Sequence, residues 1–134
     1  MIQWTEEYRV GVDFIDEQHQ KLFEIARRAF DLMKDEFALD KYDKIVEIIE
    51  ELKDYTKFHF EAEEAYMEEI GYPKIFSHKV KHEELIKELN GIDFEQVDMN
   101  QDEYIVSLLE LVVNWIDKHI KQVDQRIPEG GAKA

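Results

Sequence analysis

Each of the five histidines in this chain, His19, His59, His78, His82 and His119, stands where helical periodicity calls for a residue facing a core. From Asp16, apolar or histidine positions recur at His19, Leu22, Phe23, Ala26, Phe30, Met33 and Phe37. A second run reads Ile45, Ile49, Leu52, Thr56, His59, Glu63, Tyr66 and Ile70. A third is His78, His82, Leu85 and Leu89, and a fourth is Ile105, Leu108, Val112, Trp115, His119 and Val123. Recurrence every three and four residues is the mark of an amphipathic helix. Four such stripes joined by short connections predict an all-α fold, an up-down-up-down four-helix bundle, and its interior must then accommodate imidazoles.

The punctuation agrees. With only five Gly and two Pro in 134 residues, the chain offers few breaks, and those it has fall between the stripes. Asp16 is placed to cap the first helix. The second helix starts after Asp40 and stops at Gly71, followed by Pro73. Asn90–Gly91 ends the third, and Asn100 with Glu103 has the spacing of a capping box opening the fourth. A chain of this length suits one core rather than two. The expected unit is residues 1–127, with residues 1–15 as an N-terminal arm whose Trp4, Val10, Val12, Phe14 and Ile15 lie across the bundle. Residues 128–134, PEGGAKA, read as a flexible tail.

Charge and cysteine usage exclude several functions. A formal net charge of −15 repels nucleic acid and anionic membrane surfaces, so neither is an expected partner. With no cysteine, disulfides, thiolate sites and iron–sulfur clusters are out, and any metal must be held by His, Asp and Glu. The acidic start MIQWTEEYRV has no apolar leader segment, and no stretch reaches membrane-span length. A cytoplasmic monomer is expected, its protein partners unspecified.

The histidines point to a metal. Residues four apart on a helix differ by only about 40° in azimuth, so His59 with Glu63 and His78 with His82 each share a face, and facing helices can aim them at one internal point. One histidine in such a stripe reads as a hydrogen-bonded core residue; five of five, spread over all four helices, do not. Unpaired buried imidazole nitrogens cost roughly 1–3 kcal/mol each, which a cation removes. Glu63 is the stronger anomaly, because a buried carboxylate needs a partner or a metal and no Lys or Arg shares its stripe. Asp124 lies five residues beyond His119, about 140° around an ideal helix, so spacing alone does not select it.

The stretches GVDFIDEQHQKLF, HFEAEEAYMEEIGYP, HKVKH and WIDKHIKQVD resemble, in order, the four blocks of the hemerythrin family, especially its bacterial single-domain members, over residues 4–124. The resemblance implies reversible dioxygen binding without enzymatic turnover, as a carrier, storage or scavenging protein. It implies two non-haem irons per chain, one held by His78, His82 and His119 and the other by His19 and His59. Glu63 and Asp124 would bridge them, together with an oxo or hydroxo group. By the same resemblance the two-histidine iron would keep an open position for dioxygen, and the pair would give it electrons and recover them on release. Leu22, Phe60, Trp115 and Ile120 resemble the lining of the family's apolar dioxygen pocket. Trp115, four residues before His119, would cover the iron site from the core side. Three residues after His119, where animal members carry an apolar residue, this chain has Gln122.

Rival chemistries lack their motifs. Ferritin-like di-iron oxidases use paired Glu-x-x-His, but the residues three before the histidines are Asp16, Thr56, Ile75, Lys79 and Ile116. His78–Lys79–Val80–Lys81–His82 lacks the glutamate of a zinc hydrolase's His-Glu-x-x-His. A domain that senses oxygen, nitric oxide or iron through the same centre is the alternative; with no fused signalling region in this sequence, a freestanding carrier is expected.

Overall fold

The structure, a computed structural model, describes residues 3–35, 41–92 and 101–127. Four helices make up most of it: α1 (Asp13–Lys34), α2 (Lys41–Ile70), α3 (Ile75–Asn90) and α4 (Gln101–Gln122), with single 3-10 turns at Glu6–Tyr8 and Asp124–Arg126. They form the up-down-up-down bundle, α1 packing on α2 and α4, and α2 on α3. Among the described residues there is no strand, and no helix is long and apolar enough to cross a membrane. Helix α2 begins at Lys41, after Asp40 as expected; Phe37, Asp40, Asn100 and the tail from Pro128 lie outside the described residues, as do the side chains of Glu103, Ile105 and Leu108.

Every described position of the four stripes is buried or half-buried. Ile15, Leu22, Ile25, Leu52, Met67, Leu85, Leu89 and Ile120 form the centre of the core, each worth about 1.5–3 kcal/mol for leaving water. Ala29, Ile45, Ile49 and Leu109 continue it as a second cluster.

Helix α2 ends at the glycine its sequence marked. Gly71 has φ +68, a left-handed conformation in which a side chain is strained. The Gly71 amide donates to the Glu68 carbonyl at 3.2 Å and the Tyr72 amide to the Met67 carbonyl at 2.9 Å, the paired bonds of a Schellman motif. Its apolar contact is supplied by Met67 and Tyr72, both buried.

The start of α1 corrects the sequence reading. The helix begins at Asp13, with Val12 extended at its cap and no side-chain cap bond. Asp16 is not the cap. It sits inside the first turn, and its carboxylate reaches back to accept the amides of Val10 at 2.7 Å and Gly11 at 3.1 Å. A carboxylate in the first helical turn is favoured by the helix dipole and can satisfy free amides that precede the helix, which spacing cannot distinguish from capping. Asp13, Phe14 and Ile15, expected in the arm, are helical because Ile15 continues the His19 stripe four residues earlier and is fully buried.

The remaining arm is fastened to α4 and the turn after it. Tyr8 donates to Asp117 at 2.5 Å, and the Gln125 amide donates to the carbonyls of Glu7 at 2.7 Å and Arg9 at 3.3 Å. Trp4, Tyr8 and Val12 pack on the core. The turn held in this way carries Asp124.

Candidate metal centre

All five histidines are buried, none more than 6% exposed, and with them lie Glu63 at 0% and Asp124 at 1%. Helix α1 supplies His19, α2 supplies His59 and Glu63 one turn apart, α3 supplies His78 and His82 one turn apart, and α4 supplies His119. Asp124 comes from the 3-10 turn. Helix α4 ends at Gln122 and Val123 leaves helical geometry, with φ −123 and ψ −59. The 140° offset of an ideal helix therefore does not apply, and the carboxylate of Asp124 comes within 3.0 Å of His119 Nε2.

The seven side chains fall into two groups that share members. Glu63, His78, His82, His119 and Asp124 form one, and His19, His59, Glu63 and Asp124 form the other. The carboxylates are divided between them atom by atom. Glu63 Oε1 is 2.9 Å from His78 Nε2 and 3.1 Å from His82 Nε2, whereas Oε2 is 3.3 Å from His59 Nε2 and 3.7 Å from His19 Nε2. Asp124 Oδ1 is 2.8 Å from His78 Nε2 and 3.0 Å from His119 Nε2, and Oδ2 is 3.1 Å from His19 Nε2.

These atoms converge without satisfying one another. Both Glu63 oxygens, Asp124 Oδ2 and both His19 nitrogens lack a hydrogen-bond partner despite their nearness. His119 Nε2 is 3.1 Å from the Nε2 of both His82 and His78, a contact at which neutral rings with outward protons would oppose their lone pairs. Buried polar atoms normally find partners. Donors packed this closely and left unpaired fit a cation between them, and a set of imidazoles and carboxylates without thiolate suits iron and similar transition metals.

Two bonds behind the rings fix which nitrogen is free. His59 Nδ1 donates to Gln18 Oε1 at 2.7 Å and His82 Nδ1 donates to Glu64 Oε2 at 2.8 Å. Each places the ring proton outward and the Nε2 lone pair toward the centre, the arrangement that orients metal-binding histidines. Sequence reasoning missed Gln18 and Glu64; their adjacency to His19 and Glu63 was the available signal.

Charge is divided unevenly. Burial works against ionisation of Glu63, but His59, His19 and His78 hold its carboxyl well below the ordinary range. Asp124 is likewise lowered, burial and Glu63 being outweighed by His119 and His19. Burial opposes the charge on His19 and His78, yet Asp124 and Glu63 raise both to about 9. For His59 and His119 burial prevails and lowers them. A metal-free cluster thus holds protons where a cation would sit.

Of the expected pocket residues, Leu22, Phe60 and Ile120 are buried in one apolar cluster, and Trp115 packs against it half-buried. Phe60 lies flat on His82, with centroids 3.8 Å apart and planes 2° from parallel, and is 5.8 Å from His59. Trp115 stacks on His119 at 4.3 Å and 17°. Its ring is also 5.7 Å from that of Phe60 in the apolar cluster. Trp115 also lines a pocket of about 110 Å³ with Lys81, Glu84, Lys118, His119, Gln122 and Val123. Gln122 is exposed.

Residues 10–127 match the family model of the Hemerythrin HHE cation binding domain. The chain is 47% identical over 125 residues to a bacteriohemerythrin of Clostridium acetobutylicum, covering 93% of this chain and 97% of that protein. It is 32% identical over 127 residues to a bacteriohemerythrin of Stenotrophomonas maltophilia, covering 93% and 78%. A crystal structure of wild-type hemerythrin has the same fold, with a TM-score of 0.76 over 98% of both chains at 23% identity.

Proposed function

Because this chain belongs to the hemerythrin family, we propose that it holds two non-haem irons, joined also by an oxo or hydroxo group, and binds dioxygen reversibly rather than acting as an enzyme. The observation that carries this reading is the division of each carboxylate: Glu63 and Asp124 each turn one oxygen to the three-histidine group and the other to the two-histidine group. Such a pattern suits two ions bridged by both side chains and gives a single ion no reason for the second set of contacts.

Two irons held by these side chains would supply the electrons that reversible dioxygen binding requires. The chain's own part is positioning and exclusion. His78, His82 and His119 with the two carboxylates offer one ion five side chains, whereas His19 and His59 with the same carboxylates offer the other only four. The two-histidine side is therefore where a small ligand enters. The outward protons on His59 and His82 Nδ1 keep both Nε2 lone pairs directed inward, and the apolar side chains of Leu22, Phe60 and Ile120 exclude water beside them. The unit that does this is residues 1–127, in which the arm preceding α1 holds the turn of Asp124.

Metal analysis of protein purified after iron-replete expression tests the reading. Two irons per chain with an absorption band that develops in air are expected; one zinc per chain would overturn it.

A further inference from the structure

We propose that Thr56 donates a hydrogen bond to dioxygen held at the two-histidine side of the centre, an inference that rests on the function proposed above. Thr56 lies within α2 and is 1% exposed. A threonine inside a helix ordinarily donates to the carbonyl one turn before it. The Thr56 hydroxyl has no hydrogen-bond partner, so it is not spent on its own backbone.

Its level in the bundle is set by the helix pairing. Helices α1 and α2 run antiparallel, with the rings of His19 and His59 4.7 Å apart. Three residues toward the C-terminus of α1 and three toward the N-terminus of α2 advance in the same direction by about 4.5 Å. That step brings Leu22 and Thr56 to one level beside the two-histidine group, both on the inward stripes and both buried. Leu22, Phe60 and Ile120 offer a ligand no donor. Thr56 offers one, to an acceptor of two or three atoms such as dioxygen or azide.

The fold gains nothing from this hydroxyl. An unpaired buried hydroxyl weakens the native state, and valine has the same shape without it. Thr56→Val therefore separates a ligand contact from a structural one, because the two predict opposite signs for stability.

The experiment uses iron-loaded full-length protein, Thr56→Val and Thr56→Ser. Azide affinity of the oxidised form, the rate of dioxygen release and the thermal midpoint of the metal-free form are measured for each. Thr56→Val is expected to keep both irons and an unchanged or higher midpoint, while azide binds about tenfold more weakly and dioxygen leaves about tenfold faster, the loss of one hydrogen bond to a charged acceptor. Thr56→Ser is expected to recover most of both. Unchanged azide affinity and release rate in Thr56→Val would overturn the proposal, as would lost iron or a lowered midpoint that serine restores. Should the parent protein show no reversible oxygenation, the proposed function falls, and the azide comparison still decides whether Thr56 meets a ligand.

Discussion

His82 donates from Nδ1 to Glu64 at 2.8 Å, and its Nε2 is left 3.1 Å from Glu63 and 3.1 Å from His119. The carboxylate of Glu64, itself 26% exposed, thus fixes the tautomer of a fully buried ring. Glu64→Ala should lower metal affinity about 10–100-fold, as loss of an outer hydrogen-bond partner does, with little change in the thermal midpoint of the metal-free protein. Chelator competition measures the first and unfolding the second; unchanged affinity would show that the ring is oriented by packing alone.

His82→Ala goes further, because it removes an inward-facing nitrogen and the ring that Phe60 covers face to face. Iron occupancy and stability should fall together, with iron content below two per chain and a lower thermal midpoint. A variant that kept its iron and its midpoint would remove His82 from the centre.

Trp115 separates shielding from stability. Its indole stacks on one face of His119 beside a pocket that both residues line, and a half-buried side chain contributes less to folding than the roughly 3–5 kcal/mol of a fully buried tryptophan. Trp115→Ala should oxidise faster in air with both irons retained and only a modest loss of stability. The decay of the oxygenated spectrum, followed beside thermal unfolding, checks this; an unchanged decay in a strongly destabilised variant would make Trp115 a packing residue only.

Much of this was legible in the sequence because burial in a bundle is periodic. His19, His59, Glu63, His78, His82 and His119 announced themselves by standing in apolar stripes. Gly71 marked the end of α2 because few residues tolerate its φ. Asp124 was not legible from spacing, since its position depends on α4 ending at Gln122, and only the family resemblance indicated it. Asp16 was misread because a carboxylate in the first helical turn can reach back to preceding amides as readily as a cap residue reaches forward. Gln18 and Glu64 were passed over despite their adjacency to His19 and Glu63, because a polar residue beside a buried one reads as solvated until its partner across the bundle is known.

The metal-free protein should be most stable near pH 6.5. His19 and His78, raised from 6.5 to about 9, contribute stability that is complete below 6.5 and lost as pH climbs through 9. His59 and His119 are lowered, so their contribution is lost as pH falls below 6.5, and that of the lowered Glu63 and Asp124 is lost at more acidic pH. Metal-bound imidazoles carry no such proton, so the gap in thermal midpoint between loaded and metal-free protein should widen from pH 6.5 to pH 9. An equal gap at both would contradict the proton occupancy of His19 and His78.

Reversible oxygenation is decided by one cycle. Iron-loaded protein is reduced without air, exposed to dioxygen, then purged with inert gas while its visible spectrum and the gas released are recorded. Reversible binding predicts a band that appears with dioxygen and vanishes on purging, one dioxygen recovered per pair of irons and the reduced spectrum restored. A band that stays after purging, or dioxygen consumed and not returned, would make the centre an oxidase and contradict the function proposed for it.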